Sequence, residues 1–167
     1  MIFETHAHYD DEAFNGDRDE LLCSMKENGI ETIVNVGASF RGVEDTVKLM
    51  EQYSFVYGAV GIHPDEVGDL DEEKMEILCR YCHLPKTVAV GEIGLDYYWN
   101  KENHDTQKKW FVRQMDLAKE TDLPIIVHSR DAAKDTLELM KAERADCLRG
   151  VIHCYSCLLY TSDAADD

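Results

Sequence analysis

Pro124-Ile125-Ile126-Val127-His128-Ser129-Arg130-Asp131 is a short apolar run that breaks abruptly into polar residues. A run without alternation suits a strand covered on both faces, as in a parallel sheet flanked by helices. The same punctuation recurs along the chain. Ile2–His8 ends in His6-Ala7-His8, Glu31–Val36 ends at Gly37, and Phe55–His63 ends at His63-Pro64. Thr87–Val90 runs into Gly91-Glu92-Ile93-Gly94-Leu95-Asp96-Tyr97, and Gly150–Ile152 runs into His153-Cys154-Tyr155-Ser156.

Helical patterns separate these strands. Asp17–Asn28 carries Leu21, Leu22 and Met25 on one face, with Gly29 as the stop. Ser39 caps a helix in which Val43, Val47 and Met50 recur at helical spacing. Asp71–Cys82, Asp105–Glu120 and Ala132–Arg144 follow; the second of these has Trp110, Phe111, Gln114, Met115 and Ala118 along one stripe. The strand–helix alternation is unbroken, in units about 25–35 residues long, which implies parallel strands joined by right-handed crossovers. Neither a G-x-G-x-x-G nor a G-x-x-x-x-G-K-[ST] motif follows any strand, so the nucleotide-binding open sheet lacks its signature. The expected fold is therefore an α/β (β/α)8 barrel of the TIM type, of which about six βα units are present.

That fold gives the strand-end polar residues a meaning, because the carboxyl ends of barrel strands converge on one mouth. His6 and His8 lie on one face of the first strand, since residues i and i+2 of a strand point the same way. With Glu92, His128 and His153 they make four histidines and a carboxylate at equivalent ends of four strands. Such a set is expected to ligate metal. Imidazole and carboxylate together suit zinc, manganese or iron better than magnesium, and a central carboxylate can bridge two ions that activate a shared water. The implied chemistry is metal-assisted hydrolysis. His63 stands one strand away, with substrate contact or support of the ligands as its expected role, and Arg130 is placed to grip an anionic group or to pair with a nearby acid. His83 and His104 lie off the strand ends and are expected on the surface.

Composition bounds the rest. Hydrophobic residues make up 44% of the 167 and charged residues 31%, enough for one globular domain. The net charge of −17 argues against sequence-indifferent binding along a nucleic-acid backbone, though not against a nucleic-acid site whose positive charge comes from metal ions. Acidic clusters at Asp10–Glu20 and Asp65–Glu76 are expected as solvated surface. Neither a signal-peptide pattern nor a membrane-length apolar run is visible, and the six cysteines suit reduced thiols in the cytoplasm. Of the two C-x-x-C pairs, Cys79/Cys82 falls in a helical pattern and is expected in the core; Cys154/Cys157 lies too far away to complete a zinc ribbon with it.

In the order E-T-H-A-H, G-I-H-P, G-E-I-G-L-D-Y, P-I-I-V-H-S-R-D-A and H-C-Y-S, the chain resembles the TatD family of metal-dependent deoxyribonucleases, within the amidohydrolase-type barrels, from residue 1 to about Ser156. The resemblance implies metal ligands at His6, His8, Glu92, His128 and His153, with Glu92 bridging two divalent ions (Mg, Mn or Zn). Glu92 and His63 become the candidate catalytic residues; Arg130 and His63 become the candidate substrate contacts. It further implies exonucleolytic cleavage of DNA, with RNA or tRNA as other substrates; some members are linked to removing D-amino acids from tRNA. The complete protein is expected to be a monomer without membrane association. A small-molecule amidohydrolase and a non-catalytic metal-binding module are the alternatives; Glu92 stands where many amidohydrolases carry a carboxylated lysine, which favours the nuclease branch.

The pattern breaks near the end. The family's further metal-site aspartate, near its last strand, has no counterpart here, and residues 157–167 read as a non-native or disordered tail after an incomplete barrel spanning 1–156. A six-stranded arc exposes two edges, so the 167-residue chain is expected to be inactive, poorly soluble and at best a weak metal binder.

Overall fold

Six parallel strands hydrogen-bond in strict sequence order, each to the next, in the computed structural model, which describes residues 1–99 and 102–154. They are β1 (Ile2–Ala7), β2 (Ile30–Val36), β3 (Val56–Val60), β4 (Thr87–Asp96), β5 (Ile125–Arg130) and β6 (Gly150–Ile152). Helices α1 (Arg18–Ser24), α2 (Phe40–Gln52), α3 (Glu72–Cys82), α4 (His104–Thr121) and α5 (Ala133–Ala142) fill the crossovers. Laid flat, six strands at ~4.8 Å spacing would hold β1 and β6 about 24 Å apart. Instead the rings of His6 at the end of β1 and His153 just after β6 stack with centroids 3.6 Å apart. The sheet curls into an incomplete TIM-type barrel.

The core divides along that curl. Val34, Val36, Ala59, Ala89 and Ile126, all from strands, cluster on the concave face, where small residues relieve crowding. The outer face packs on the helices: Val60, Val90, Ile93, Leu95 and Val127 meet Met75, Leu78, Phe111 and Met115. Leu22, Ile33, Val47 and Met50 form a smaller cluster under α1 and α2. Cys82 is buried and Cys79 partly buried in the same outer layer, as their helical spacing implied. Cys157, Ser156 and the tail lie outside the described residues.

Three strand boundaries differ from the sequence expectation. β4 continues six residues past Val90, and β5 continues to Arg130. Polar residues there suggested loop, but those of β4 are buried, and the half-buried to exposed end of β5 pairs with them from Gly94–His128 to Asp96–Arg130. Gly94 makes the extension possible: its φ is +145°, and a Cβ at this position would sit 1.9 Å from the His128 carbonyl oxygen. β3, conversely, stops at Val60 rather than His63, because Pro64 opens a 3-10 turn (Pro64–Asp69) that His63 caps. Helix α1 is also shorter than expected, giving way to turns that end at Gly29 with φ +80°. No described helix is long and apolar enough to cross a membrane.

Candidate metal centre

Two buried amides on α4 fix the strand ends that carry the donors. Gln114 accepts from the Ile62 N–H (2.7 Å) and donates to the Ile62 carbonyl (3.1 Å), holding the residue before His63. One face and seven residues earlier, Gln107 makes the same pair of bonds to Asp96, both 2.9 Å. On β2, buried Asn35 accepts from Tyr9 N–H (2.6 Å) and donates to Asp10 and Thr46 (both 2.8 Å), tying down the loop after His8. Each bond satisfies a group whose burial unpaired would be costly.

Within this frame the strand-end donors meet. The Nε2 atoms of His6 and His8 are 3.2 Å apart, and His6 Nε2 lies 3.2 Å from Glu92 Oε2. The other carboxylate oxygen, Oε1, lies 2.9 Å from His128 Nδ1. His8 Nδ1–H donates to the Val36 carbonyl at 2.7 Å, which fixes the tautomer and leaves Nε2 as the lone-pair nitrogen facing the centre. His153 stacks on His6, and the ring of His63 stands edge-on to that of His128 with centroids 4.2 Å apart. His63 is thus inside the cluster, not a strand away from it. Donor atoms of His6, His8 and Glu92 lie within 4.8 Å of one another, as do those of His63, Glu92 and His128. Glu92 belongs to both groups.

Two carboxylates escaped the reading from sequence. Asp96, 1% exposed, sets Oδ2 2.9 Å from His128 Nε2. A signal was present: Glu92, Gly94 and Asp96 share one face of an extended chain, whereas Ile93 and Leu95 take the other. Asp65 joins His63 and Asp96 in a third donor group. It belongs to a run expected as solvated surface; instead its Oδ1 is buried without a hydrogen-bond partner, and Asp10 is half-buried against Asn35. His104 is also not a plain surface residue, since its ring stacks on Tyr97 at 3.7 Å. His83 is exposed, as expected. Arg130 makes no ion pair among the described residues; its guanidinium lies over the rings of Tyr98 and Trp99.

The electrostatics suit a cation. Burial would raise the Glu92 carboxyl, but hydrogen bonds from His128 and His6 hold it well below the usual carboxylate range. Asp96 is lowered against its burial by the Trp99 N–H and His128. His128, burial notwithstanding, is raised by these two carboxylates. His63 is pushed down to about 4 by burial and by His128, and His153 is lowered by burial and His6. His63 and His153, neutral beside ionised carboxylates, are in the protonation states that bind divalent ions, whereas His128, between Glu92 and Asp96, gives up a proton on ligating. With the orphaned Asp65 oxygen, the donor set fits such an ion. The residues open onto a cleft of about 860 Å³ whose wall includes His8, His63, Glu92, His128, Arg130 and His153.

A family profile described as TatD related DNase matches residues 3–161. The chain belongs to the TatD-related DNase family. Its members include relatives of this chain named as metal-dependent hydrolases: it is 39% identical over 156 residues to the uncharacterized metal-dependent hydrolase YabD of Bacillus subtilis, covering 93% of this chain and 61% of YabD. A putative deoxyribonuclease of Danio rerio, tatdn3, is 35% identical over 152 residues, covering 84% of this chain and 57% of that protein. The crystal structure of YJJV, a TatD homologue of Escherichia coli K12, superposes with a TM-score of 0.88 at 29% identity, covering 99% of this chain and 64% of YJJV. The TatD barrel is thereby the fold of this chain, which spans about six-tenths of the length of these relatives.

Proposed function

We propose that the complete protein hydrolyses phosphodiester bonds of DNA, removing nucleotides from a strand end with two divalent ions held by His6, His8, Glu92, His128 and His153. The observation that carries this reading is Glu92, whose two oxygens face imidazoles from opposite sides, His6 of β1 and His128 of β5. A bound ion pair supplies a water acidified towards neutral pH and charge to offset the phosphate. The chain's residues do the rest. Asp96 orients His128 through Nε2. His63 stays neutral; with Nδ1 accepting from the Asp65 N–H, its Nε2–H is free to donate to a phosphate oxygen. Arg130 gives the cleft wall a positive charge for the substrate's phosphates. The name borne by the Danio rerio relative supports DNA as substrate.

The test is the uninterrupted reading frame, purified and stripped with a chelator, then assayed with Mn²⁺ on single-stranded DNA, RNA, D-aminoacyl-tRNA and a cyclic amide. Release of nucleotides from DNA ends, abolished by the chelator and restored by Mn²⁺, is expected. Turnover of the aminoacyl-tRNA or amide with intact DNA left behind sinks the nuclease reading, and metal binding without any turnover supports the non-catalytic module instead.

A further inference from the structure

Beside the metal centre stands an aromatic pair with no structural task. Tyr98 is 45% and Trp99 67% exposed, on the turn that follows β4. Their rings meet edge to face, with centroids 4.7 Å apart. The Arg130 guanidinium lies 4.1 Å from the Tyr98 ring centroid and 5.4 Å from that of Trp99. Two large aromatics this open add nothing to a core, and exposed apolar groups gathered in one place mark a binding surface.

The platform is bolted to the centre by one carboxylate. Asp96 Oδ1 accepts from the N–H groups of Tyr98 (2.9 Å) and Trp99 (3.0 Å), while Oδ2 faces His128. The Tyr97 N–H donates to the Arg130 carbonyl at 2.9 Å, so the turn and the end of β5 move as one piece. Across the cleft the wall carries Asp10, Asp11, Glu12 and Asp45, with Arg41 paired to the last two. Four acids to one arginine leave that side negative, so a polyanion approaches more readily from the aromatic side.

We propose that Tyr98, Trp99 and Arg130 form a stacking platform for the terminal nucleobase of a single-stranded nucleic acid, seating the strand end beside the metal centre. The proposal rests on the phosphodiesterase reading for its substrate. Flat π-faces and a planar guanidinium accept any base by stacking. The platform therefore holds a strand end without reading sequence. Because one arginine rather than a basic groove meets the strand, binding depends weakly on salt.

The test needs no turnover. Trp99 is exposed and Trp110, at 4%, is buried, so quenching by a ligand reports the former and the spectrum of the latter reports folding. The 167-residue chain and the uninterrupted protein are each titrated, with chelator present, with a thymidine pentanucleotide and with the same strand lacking one terminal base. Quenching by the intact strand is expected, weakened about 5- to 150-fold by removing the base; Trp99→Ala, which lacks the reporter, is read by anisotropy of a dye-labelled strand and should show a loss in the same range. The two losses do not add, since they delete the same contact. Arg130→Lys keeps the charge but not the plane and weakens binding too. Unchanged affinity of Trp99→Ala, equal binding of the base-less strand, or a Trp99 already shielded by protein in the uninterrupted chain overturns the platform. Stacking by a protein that never cleaves DNA with Mn²⁺ leaves the platform standing and removes only the nuclease reading.

Discussion

β4 and β1 bring donors to the same centre but are held in opposite ways. Nine of the ten residues of β4 are buried, and Gln107 of α4 grips both backbone groups of its last residue. No residue of β1 is fully buried; it pairs among the described residues only with β2, and that register breaks twice. Glu92 and Asp96 are therefore placed by packing before any ligand arrives. His6 and His8 are placed by one ladder and the His8–Val36 bond. Donors on the central strand are preorganised, whereas those on the outer strand have more order to gain from a cation.

The largest effect expected from this asymmetry is on metal affinity. Glu92→Gln removes the group facing both imidazoles and should weaken Mn²⁺ binding by on the order of 100-fold or more, read by titration calorimetry. His8→Gln, on the looser strand, should cost roughly 10- to 100-fold. If His8→Gln costs as much as Glu92→Gln, the two strands are equally preorganised and the contrast fails.

Stability gives the next effect. Gln107→Ala strands the Asp96 N–H and carbonyl in the core, and leaving two buried backbone groups unpaired costs about 2–4 kcal/mol in urea unfolding. A loss under about 1 kcal/mol would mean that water reaches the end of β4 and that packing does not position Asp96.

These anchors also show where the sequence is legible and where it is not. Strand-end histidines announce themselves, because an apolar run ending in His is read directly from spacing, and His6, His8, Glu92, His128 and His153 do converge. Gln107 and Gln114 do not announce themselves. A glutamine in an apolar helical stripe looks like its solvated edge until the backbone it serves is known. Asp96 was hidden by Gly91 and Gly94, which read as the end of a strand; only the close approach of the His128 carbonyl to Gly94 explains why the strand continues. Asp65 was hidden by its neighbours, since an acidic run reads as surface and local charge cannot report which member turns inward.

A pH effect of intermediate size separates the two halves again. Burial, with the Cys79 thiol beside it, pushes the Cys82 thiol up to about 12. Its stabilising contribution is complete below the ordinary thiol value near 9 and is lost as pH rises towards 12, because only the unfolded chain ionises in between. At pH 10.5 the loss is about 2 kcal/mol. Tyr53 and Tyr97, also raised to about 12, titrate in the same window, so the measurement is the difference between wild type and Cys82→Ala in the slope of stability against pH from 9 to 11. Thiol labelling mapped by mass spectrometry gives a second view: exposed Cys23, on α1 beside the outer strands, should react at once and Cys82 only on unfolding. Equal labelling rates would place the outer layer around β4 among the loosely held parts.

The smallest effect on stability is expected where β1 is most open. Phe3 is 60% exposed and Ile2 53%, and Val151 of β6, across the gap in the curled sheet, is 61% exposed. Phe3→Ser removes only the two-fifths of a side chain that is covered, so urea unfolding should shift by about 1 kcal/mol. Solubility should respond far more. An outer strand with unpaired backbone groups and apolar side chains is a template for another chain, and replacing its largest side chain should raise the concentration at which light scattering first detects association. Those two readouts decide what the looseness of β1 means. Better solubility with no more than that loss locates the defect at an uncovered edge and leaves the β4 half as the folded unit that sets ΔG. A loss of about 2 kcal/mol or more would show that Phe3 is already packed in solution, and β1 would then hold its histidines as firmly as β4 holds Glu92.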